Sequence, residues 1–280
     1  MQVAHIATWD VQRVAPDDPL DKAISLMEEH RIRHLPVLEE RRPLGMISDR
    51  DILLAVGWRL EVDRSSGCGA KSVGPRRVHE IMSIPALRVE PTRRIADAAR
   101  TMVDCRVHAL LVVEDDVLRG LVTSTDLLRY MADYPDARFD RPISEKMHVN
   151  IRAVTRSAPL YQASRIIRGA GIRHLPVLED TTLVGVVTDR DLRRACGSEA
   201  IANELAQVSG DLRVSATRVE DIMSGPVETL RETSTIRDAA RLMVTRRIGC
   251  APIVRSGNLI GILTDTDCLR LLAQRPLADS

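Results

Sequence analysis

Aromatic side chains are scarce in this 280-residue chain, at 2% of its residues: Trp9, Trp58, Tyr130, Tyr134, Tyr161 and Phe139. Surfaces that stack single-stranded bases set aromatic rings beside basic grooves, so that mode of binding is not expected. An excess of charge is missing too. Forty Lys and Arg face 39 Asp and Glu, for a net charge of +1, and a chain that tracks nucleic-acid phosphates normally carries a basic surplus. The five cysteines (Cys68, Cys105, Cys196, Cys250 and Cys268) form an odd set with no CxxC spacing. Neither a disulfide framework nor a zinc site is expected, and a reducing, cytoplasmic setting suits them. No run approaches the ~18 uninterrupted apolar residues of a membrane span, and the opening MQVAHIATWDVQRVAPDD lacks the apolar stretch of a signal peptide.

Catalytic signatures are also wanting. The chain contains no G-x-S-x-G elbow, P-loop, HExxH or G-x-G-x-x-G, and His5, His30, His79 and His148 show no metal-ligand spacing. The expectation is a protein that is not an enzyme and requires no cofactor or metal.

What is present is repetition. The apolar fraction is 44%, enough for real cores, and 28% of residues are charged with both signs interspersed. IRHLPVLE occurs at Ile32–Glu39 and again at Ile172–Glu179, an offset of 140. GMISDRD from Gly45 returns as GVVTDRD from Gly185 at the same offset, so the two halves are duplicates. A weaker echo lies within each half. GLVTSTD starts at Gly120 and GILTDTD at Gly261, HEIMSIP from His79 matches EDIMSGP from Glu220, and DAAR stands at Asp97 and Asp238. Four repeats follow: 4–56, 78–132, 143–195 and 219–273.

Repeat 1 supplies the grammar. A short extended piece at Val11–Val14 ends in the turn residues Ala15-Pro16-Asp17-Asp18. Leu20, Ala23, Ile24 and Met27 recur at helical spacing up to about His30. Leu35–Leu38 has strand length, a charged turn spans Glu39–Pro43, a second strand covers Leu44–Ile47, and a helix follows Ser48. The predicted fold class is therefore α/β, with β-α-β-β-α repeats. A unit of about 55 residues is near the lower limit of independent stability, so repeats 1 and 2 should pair as one module and repeats 3 and 4 as another. Linkers are expected at 57–77, where RSSGCGAKSVGP predicts mobility, and at 196–218, where AIANELA predicts a short helix. The short join Asp133–Arg141 implies closely packed modules.

The IRHLPV strands, the S/T-x-x-D segments and the IMS tripeptides at Ile81 and Ile222 resemble the CBS domain, named after cystathionine β-synthase, two of which make a Bateman module. The resemblance covers nearly all of the chain outside the linkers. It implies clefts between repeats that bind AMP, ADP, ATP or S-adenosylmethionine as a regulatory ligand, and signalling to an unidentified target protein. Such modules can also pair as a homodimer.

The residues support candidate roles, each beside a plainer one. Ser48, Thr123, Thr188 and Thr264 stand where a strand gives way to a helix, where a hydroxyl and free N–H groups tolerate an anion. Asp51, Asp126, Asp191 and Asp267 lie three residues on, and the resemblance assigns that carboxylate to a ribose. The same S/T-x-x-D spacing is also a helix capping box. Arg33-His34 and Arg173-His174 precede strands and offer cations for phosphate, or else solvated charge and neutral interface histidines. At these positions repeat 2 has His108-Ala109 and repeat 4 has Gly249-Cys250, which weakens the phosphate half there. Leu35-Pro36 and Leu175-Pro176 could present unpaired backbone groups to adenine among Ile32, Val37 and Ile47, or simply begin strands. Asp49-Arg50 and Asp189-Arg190 could form ion pairs or reach phosphate. The competing function is a ligand-independent interaction or oligomerisation scaffold; nucleic acid and membrane are not expected partners.

Overall fold

A computed structural model describes residues 1–56, 75–202 and 217–274. Most of both expected linkers lies outside the described residues. The helix read in AIANELA is met only as far as Ala202, as the end of a longer helix.

Each repeat has the same construction. In repeat 1, helix α1 (Leu20–Glu29) buries Leu20, Ala23 and Met27, the residues that set its period. The hairpin β1 (His34–Glu39) and β2 (Arg42–Ser48) follows, then α2 (Asp49–Val56). The turn is tighter than the charge pattern predicted: Glu39 pairs directly with Arg42, leaving Glu40 and Arg41 as the loop, with Glu40 at φ 54°. A primed two-residue turn needs positive φ and matches the twist of the strands, which is why β2 starts at Arg42. Val14 adds a single parallel bridge to Val37, completing β-α-β-β-α.

Repeat 2 contributes β3 (Arg88–Val89), α3 (Ile95–Asp104), β4 (Ala109–Glu114), β5 (Val117–Thr123) and α4 (Ser124–Asp133). Repeat 3 contributes β6 (Val154–Thr155), α5 (Leu160–Ala170), β7 (His174–Glu179), β8 (Thr182–Thr188) and α6 (Asp189–Ala202). Repeat 4 contributes α7 (Ile236–Arg246), β9 (Cys250–Arg255), β10 (Asn258–Thr264) and α8 (Asp265–Ala273).

The repeats pair by exchanging arms. The segment before each repeat's first strand crosses the hairpin of its neighbour: Thr8 bridges Leu121 and Ser83 bridges Met46 in the first half, while His148 bridges Ile262 and Ser224 bridges Val186 in the second. The exchange accounts for the glycine that opens every G-x-x-S/T-x-x-D segment. A Cβ on Gly120 would come 2.5 Å from the Thr8 carbonyl oxygen, and one on Gly45 would come 2.7 Å from that of Ser83.

The two modules then meet through helices, and the two edges of contact differ. Repeats 2 and 4 share one apolar cluster, with Met102, Leu127, Met131, Met243, Leu269 and Phe139 buried in it. Phe139, from the short join between the halves, is fully buried, which closes the modules tightly as the join's length implied. The DAAR arginines cap this contact crosswise: Arg100 donates to the carbonyl of Ala273 at 2.7 Å and Arg241 to that of Ala132 at 3.0 Å. A cation at a helix C-terminus satisfies orphan carbonyls and opposes the helix dipole. Repeats 1 and 3 keep separate cores, and there α2 meets α6. The Asp-Arg pairs make reciprocal ion pairs across that contact, Arg190 with Asp49 at 2.7 Å and Arg50 with Asp189 at 3.4 Å.

Gly120→Ala is expected to destabilise the fold by about 1–3 kcal/mol, because a backbone carbonyl cannot yield as a side chain does. Gly169→Ala, on an open stretch of α5 where an added Cβ meets nothing within 4 Å, should be neutral or stabilising by up to ~1 kcal/mol. Urea denaturation of both variants checks the contrast.

Candidate functional site

All four strand-to-helix junctions are capping boxes. The hydroxyls of Ser48, Thr123, Thr188 and Thr264 donate to Oδ2 of Asp51, Asp126, Asp191 and Asp267 at 2.6, 2.7, 2.6 and 2.6 Å. The backbone N–H of the same Ser or Thr adds a second bond to that oxygen, at 2.8 to 3.0 Å. The plainer reading therefore holds for one carboxylate oxygen in every repeat. Thr235 and Asp238 build an identical box at the start of α7, so the spacing alone does not mark a site.

The second oxygen separates the junctions. Oδ1 of Asp126 accepts from Arg129 at 3.0 Å, and Oδ1 of Asp267 accepts from both Arg270 and His148, at 3.0 and 2.9 Å. Among the described residues no donor is found for Oδ1 of Asp51 or Asp191.

One cavity of about 1370 Å³ opens beside the second junction. Thr8, Asp10, Val11 and Gln12 of the repeat 1 arm line it, with Ile32, Arg33 and His34 of repeat 1 and Thr123–Asp126 of repeat 2. The cleft thus joins the basic pair of one repeat to the hydroxyl–aspartate of its partner, whereas the sequence reading treated each repeat's pair and junction together. Arg190 and Arg193 of α6 and Arg247, Gly249 and Asp265 of repeat 4 reach the same space, so both modules border it. Small-molecule pockets are typically about 300–1,000 Å³, and the junction here is not sealed.

Several candidates stand elsewhere. Leu35, Val37, Ile47 and Leu175 are fully buried core residues, and Pro36 and Pro176 are buried in the hairpins. The Pro36 carbonyl is taken by the N–H of Val14 at 3.1 Å. Leu35, Pro36, Leu175 and Pro176 are thus absent from the cavity wall, and the prolines stand third in β1 and β7, opposite Met46 and Val186. The arm Thr8–Gln12 was not singled out from sequence. Its signal was the shared register of Thr8, Ser83, His148 and Ser224, visible only once arms are known to exchange.

The electrostatics of the cavity are uneven. Arg33 is exposed and has no ion-pair partner among the described residues, whereas Arg173 lies against His108 Nε2. Arg190 carries a buried Nε without a hydrogen-bond partner among the described residues. Burial, with the nearby Arg50, pushes the Arg173 guanidinium below its usual range. Burial raises the Asp265 carboxyl, but the hydrogen bond from His108 and the neighbouring His174 hold it below the ordinary value overall. His34 is pushed down to about 3 by burial, with Arg33 and His108 adding to the effect, and burial lowers His174 likewise. Both imidazoles are therefore neutral near pH 7.

The linkage is plain in sign. Unfolded His34 takes its proton near pH 6.5 and the folded residue only near pH 3, so the unfolded state binds more protons between those values. The stability of the free protein should fall as pH drops through that window and be fully present above it. In His34→Asn this part of the acid loss should vanish, so the stability of the variant relative to wild type should rise as pH falls from 6.5 to about 3. Denaturant titrations across that range measure it.

The CBS domain family model matches residues 3–57, 78–133, 143–198 and 219–274. The chain is 28% identical over 269 residues to the uncharacterized protein MJ1225 of Methanocaldococcus jannaschii, covering 93% of this chain and 94% of that one. The crystal structure of MJ1225 superposes with a TM-score of 0.72 over 96% of this chain and 99% of the other, at 26% identity. MJ1404 of the same organism is 28% identical over 277 residues, although this chain spans only 62% of its length. An uncharacterized conserved protein from Pyrococcus horikoshii, at 20% identity, shares the fold with a TM-score of 0.65 over 97% of this chain and all of the other. No helix among the described residues is long and apolar enough to cross a membrane. With four family matches in succession, each on one β-α-β-β-α unit, the chain belongs to the CBS domain family and carries two Bateman modules.

Proposed function

We propose that this chain is a regulatory protein that binds an adenosine-type ligand, AMP, ADP, ATP or S-adenosylmethionine, and signals through the relative placement of its modules. The observation that carries the reading is the cavity in which the repeat 1 arm, Ile32–His34 and the Thr123–Asp126 junction meet. Val11, Ile32 and Leu121 give aliphatic walls suited to the faces of an adenine. Asp126 Oδ1, shared only with Arg129 among the described residues, is an acceptor for a ribose diol. Arg33, without a carboxylate partner, and the buried Nε of Arg190 favour an anionic tail.

The same geometry supplies a signal. Arg190 belongs to the other module and is ion-paired to Asp49 across the α2–α6 contact. A phosphate that drew on Arg190 would exchange that pairing for one with the ligand and bias how the two modules sit. A ligand shifts such an equilibrium only by its differential affinity for the two arrangements. The reading includes a reducing, cytoplasmic setting, an unidentified target protein and no catalysis by the chain itself. It favours a sensor over a ligand-independent scaffold, which would have no use for an orphan cation in an open cleft.

Thermal unfolding and titration calorimetry with AMP, ADP, ATP and S-adenosylmethionine test it. At a free ligand concentration of 100 Kd, a bound ligand should stabilise the fold by about 2.7 kcal/mol. Asp126→Asn, which can keep the cap but loses the charge, should weaken binding at least tenfold. No response of the wild type to any of the four ligands would remove the reading.

A further inference from the structure

The second module repeats the arm-and-junction arrangement that borders the cavity in the first, and the two are not in the same condition. Thr8 and His148 hold equivalent places. Thr8 exchanges backbone hydrogen bonds with Leu121 at 2.9 and 2.8 Å, and His148 does so with Ile262 at 2.9 and 3.0 Å. Leu121 and Ile262 each stand two residues before a capping threonine, Thr123 and Thr264. Asp126 and Asp267 accept from an arginine three residues on, Arg129 and Arg270, both at 3.0 Å.

Past that point the symmetry fails. Oδ1 of Asp267, whose counterpart on Asp126 accepts only from Arg129 among the described residues, also accepts from His148 Nε2 at 2.9 Å. No hydrogen bond from the Thr8 side chain is found among the described residues, and Thr8 faces the open cavity. The basic residues diverge in the same sense. Arg33 is exposed and has no partner among the described residues, whereas Arg173 lies on His108 Nε2 and points Nη2 at the Arg106 carbonyl, 3.5 Å away. His108 Nδ1 in turn sits 3.4 Å from Asp265 Oδ2.

We infer that His148 plugs the second cleft by occupying the sugar-binding oxygen of Asp267, so that the protein binds one adenosine-type ligand per chain rather than two. The inference rests on the proposed function and refines it: the arm residue that bridges the neighbouring hairpin, Thr8 in one module and His148 in the other, decides whether a cleft is open. Threonine leaves Oδ1 of Asp126 to Arg129 alone among the described residues, and histidine reaches Oδ1 of Asp267 as well. At the junctions of Asp51 and Asp191 Oδ1 has no partner among the described residues, yet the residues that take the place of Arg33 there are His108, already engaged, and Gly249, which has no side chain.

Titration calorimetry and equilibrium dialysis with AMP decide the matter. Wild type should bind one AMP per chain. His148→Thr, which copies the open cleft, should bind two. Asp126→Asn should lose its AMP affinity at least tenfold, while Asp126→Asn combined with His148→Thr should regain one AMP per chain. His148→Ala provides a second route to the open state if the threonine variant folds poorly. Two AMP per wild-type chain at similar affinity would overturn the plug, as would a stoichiometry of one in both His148 variants. Failure of AMP to bind the wild type or either His148 variant would instead strike at the adenosine reading, and this inference would fall with it.

Discussion

The crossing of each N-terminal arm over its neighbour's hairpin is the constraint on which the rest of the structure depends. It demands glycine at the point of closest approach, and Gly45 and Gly120 stand there under the carbonyls of Ser83 and Thr8. It also decides which residues share a cleft. Had the arm folded back on its own repeat, Thr8–Gln12 would lie against Ser48 and Asp51. Because it crosses, these residues meet Thr123 and Asp126, and the basic pair of repeat 1 faces the carboxylate of repeat 2.

The arms hold each module together, while helices join the two modules, and the two kinds of contact have different chemistry. Between repeats 2 and 4 the contact is a continuous apolar core, capped at both ends by arginines on helix C-terminal carbonyls. Between repeats 1 and 3 it is ionic, with Asp49, Arg50, Asp189 and Arg190 exchanging partners across it. An apolar contact gains strength from area and resists rearrangement, whereas exposed ion pairs contribute about 0–1 kcal/mol each and are screened by salt. The cavity borders the ionic side, where an anionic ligand meets exchangeable partners instead of a packed core.

Much of this was legible in the residues. The 140-residue offset disclosed the duplication, and the period of Leu20, Ala23 and Met27 marked α1, because a helix that buries one face must repeat its apolar residues at that spacing. What the pattern could not reveal was exchange between repeats, since a repeat unit carries the same local signals whichever neighbour receives its arm. The adenine alternative for Leu35 and Pro36 stayed open for a different reason, a contact inside repeat 1. Their strand reads the same from either side, and only the register with Val14 shows that the Pro36 carbonyl is spent. The use of the DAAR arginines was hidden likewise, because Arg100 and Arg241 act on carbonyls more than a hundred residues away.

A fourfold motif is not a fourfold site, and the reason is local competition for one atom. In every S/T-x-x-D segment the helix start claims Oδ2, since the hydroxyl and the N–H of the capping residue both converge on it. Function is left to Oδ1, and whether that oxygen is free depends on residues the motif does not contain: the side chain three positions on, and the arm that arrives from the other repeat. Asp267 has lost its second oxygen to Arg270 and His148, while Asp126 has given only one bond, to an arginine that itself lines the cavity. Each copy keeps the cap that starts its helix and the backbone bridge of its arm. A backbone bridge makes no demand on the side chain at that position, and there Thr8 and His148 part.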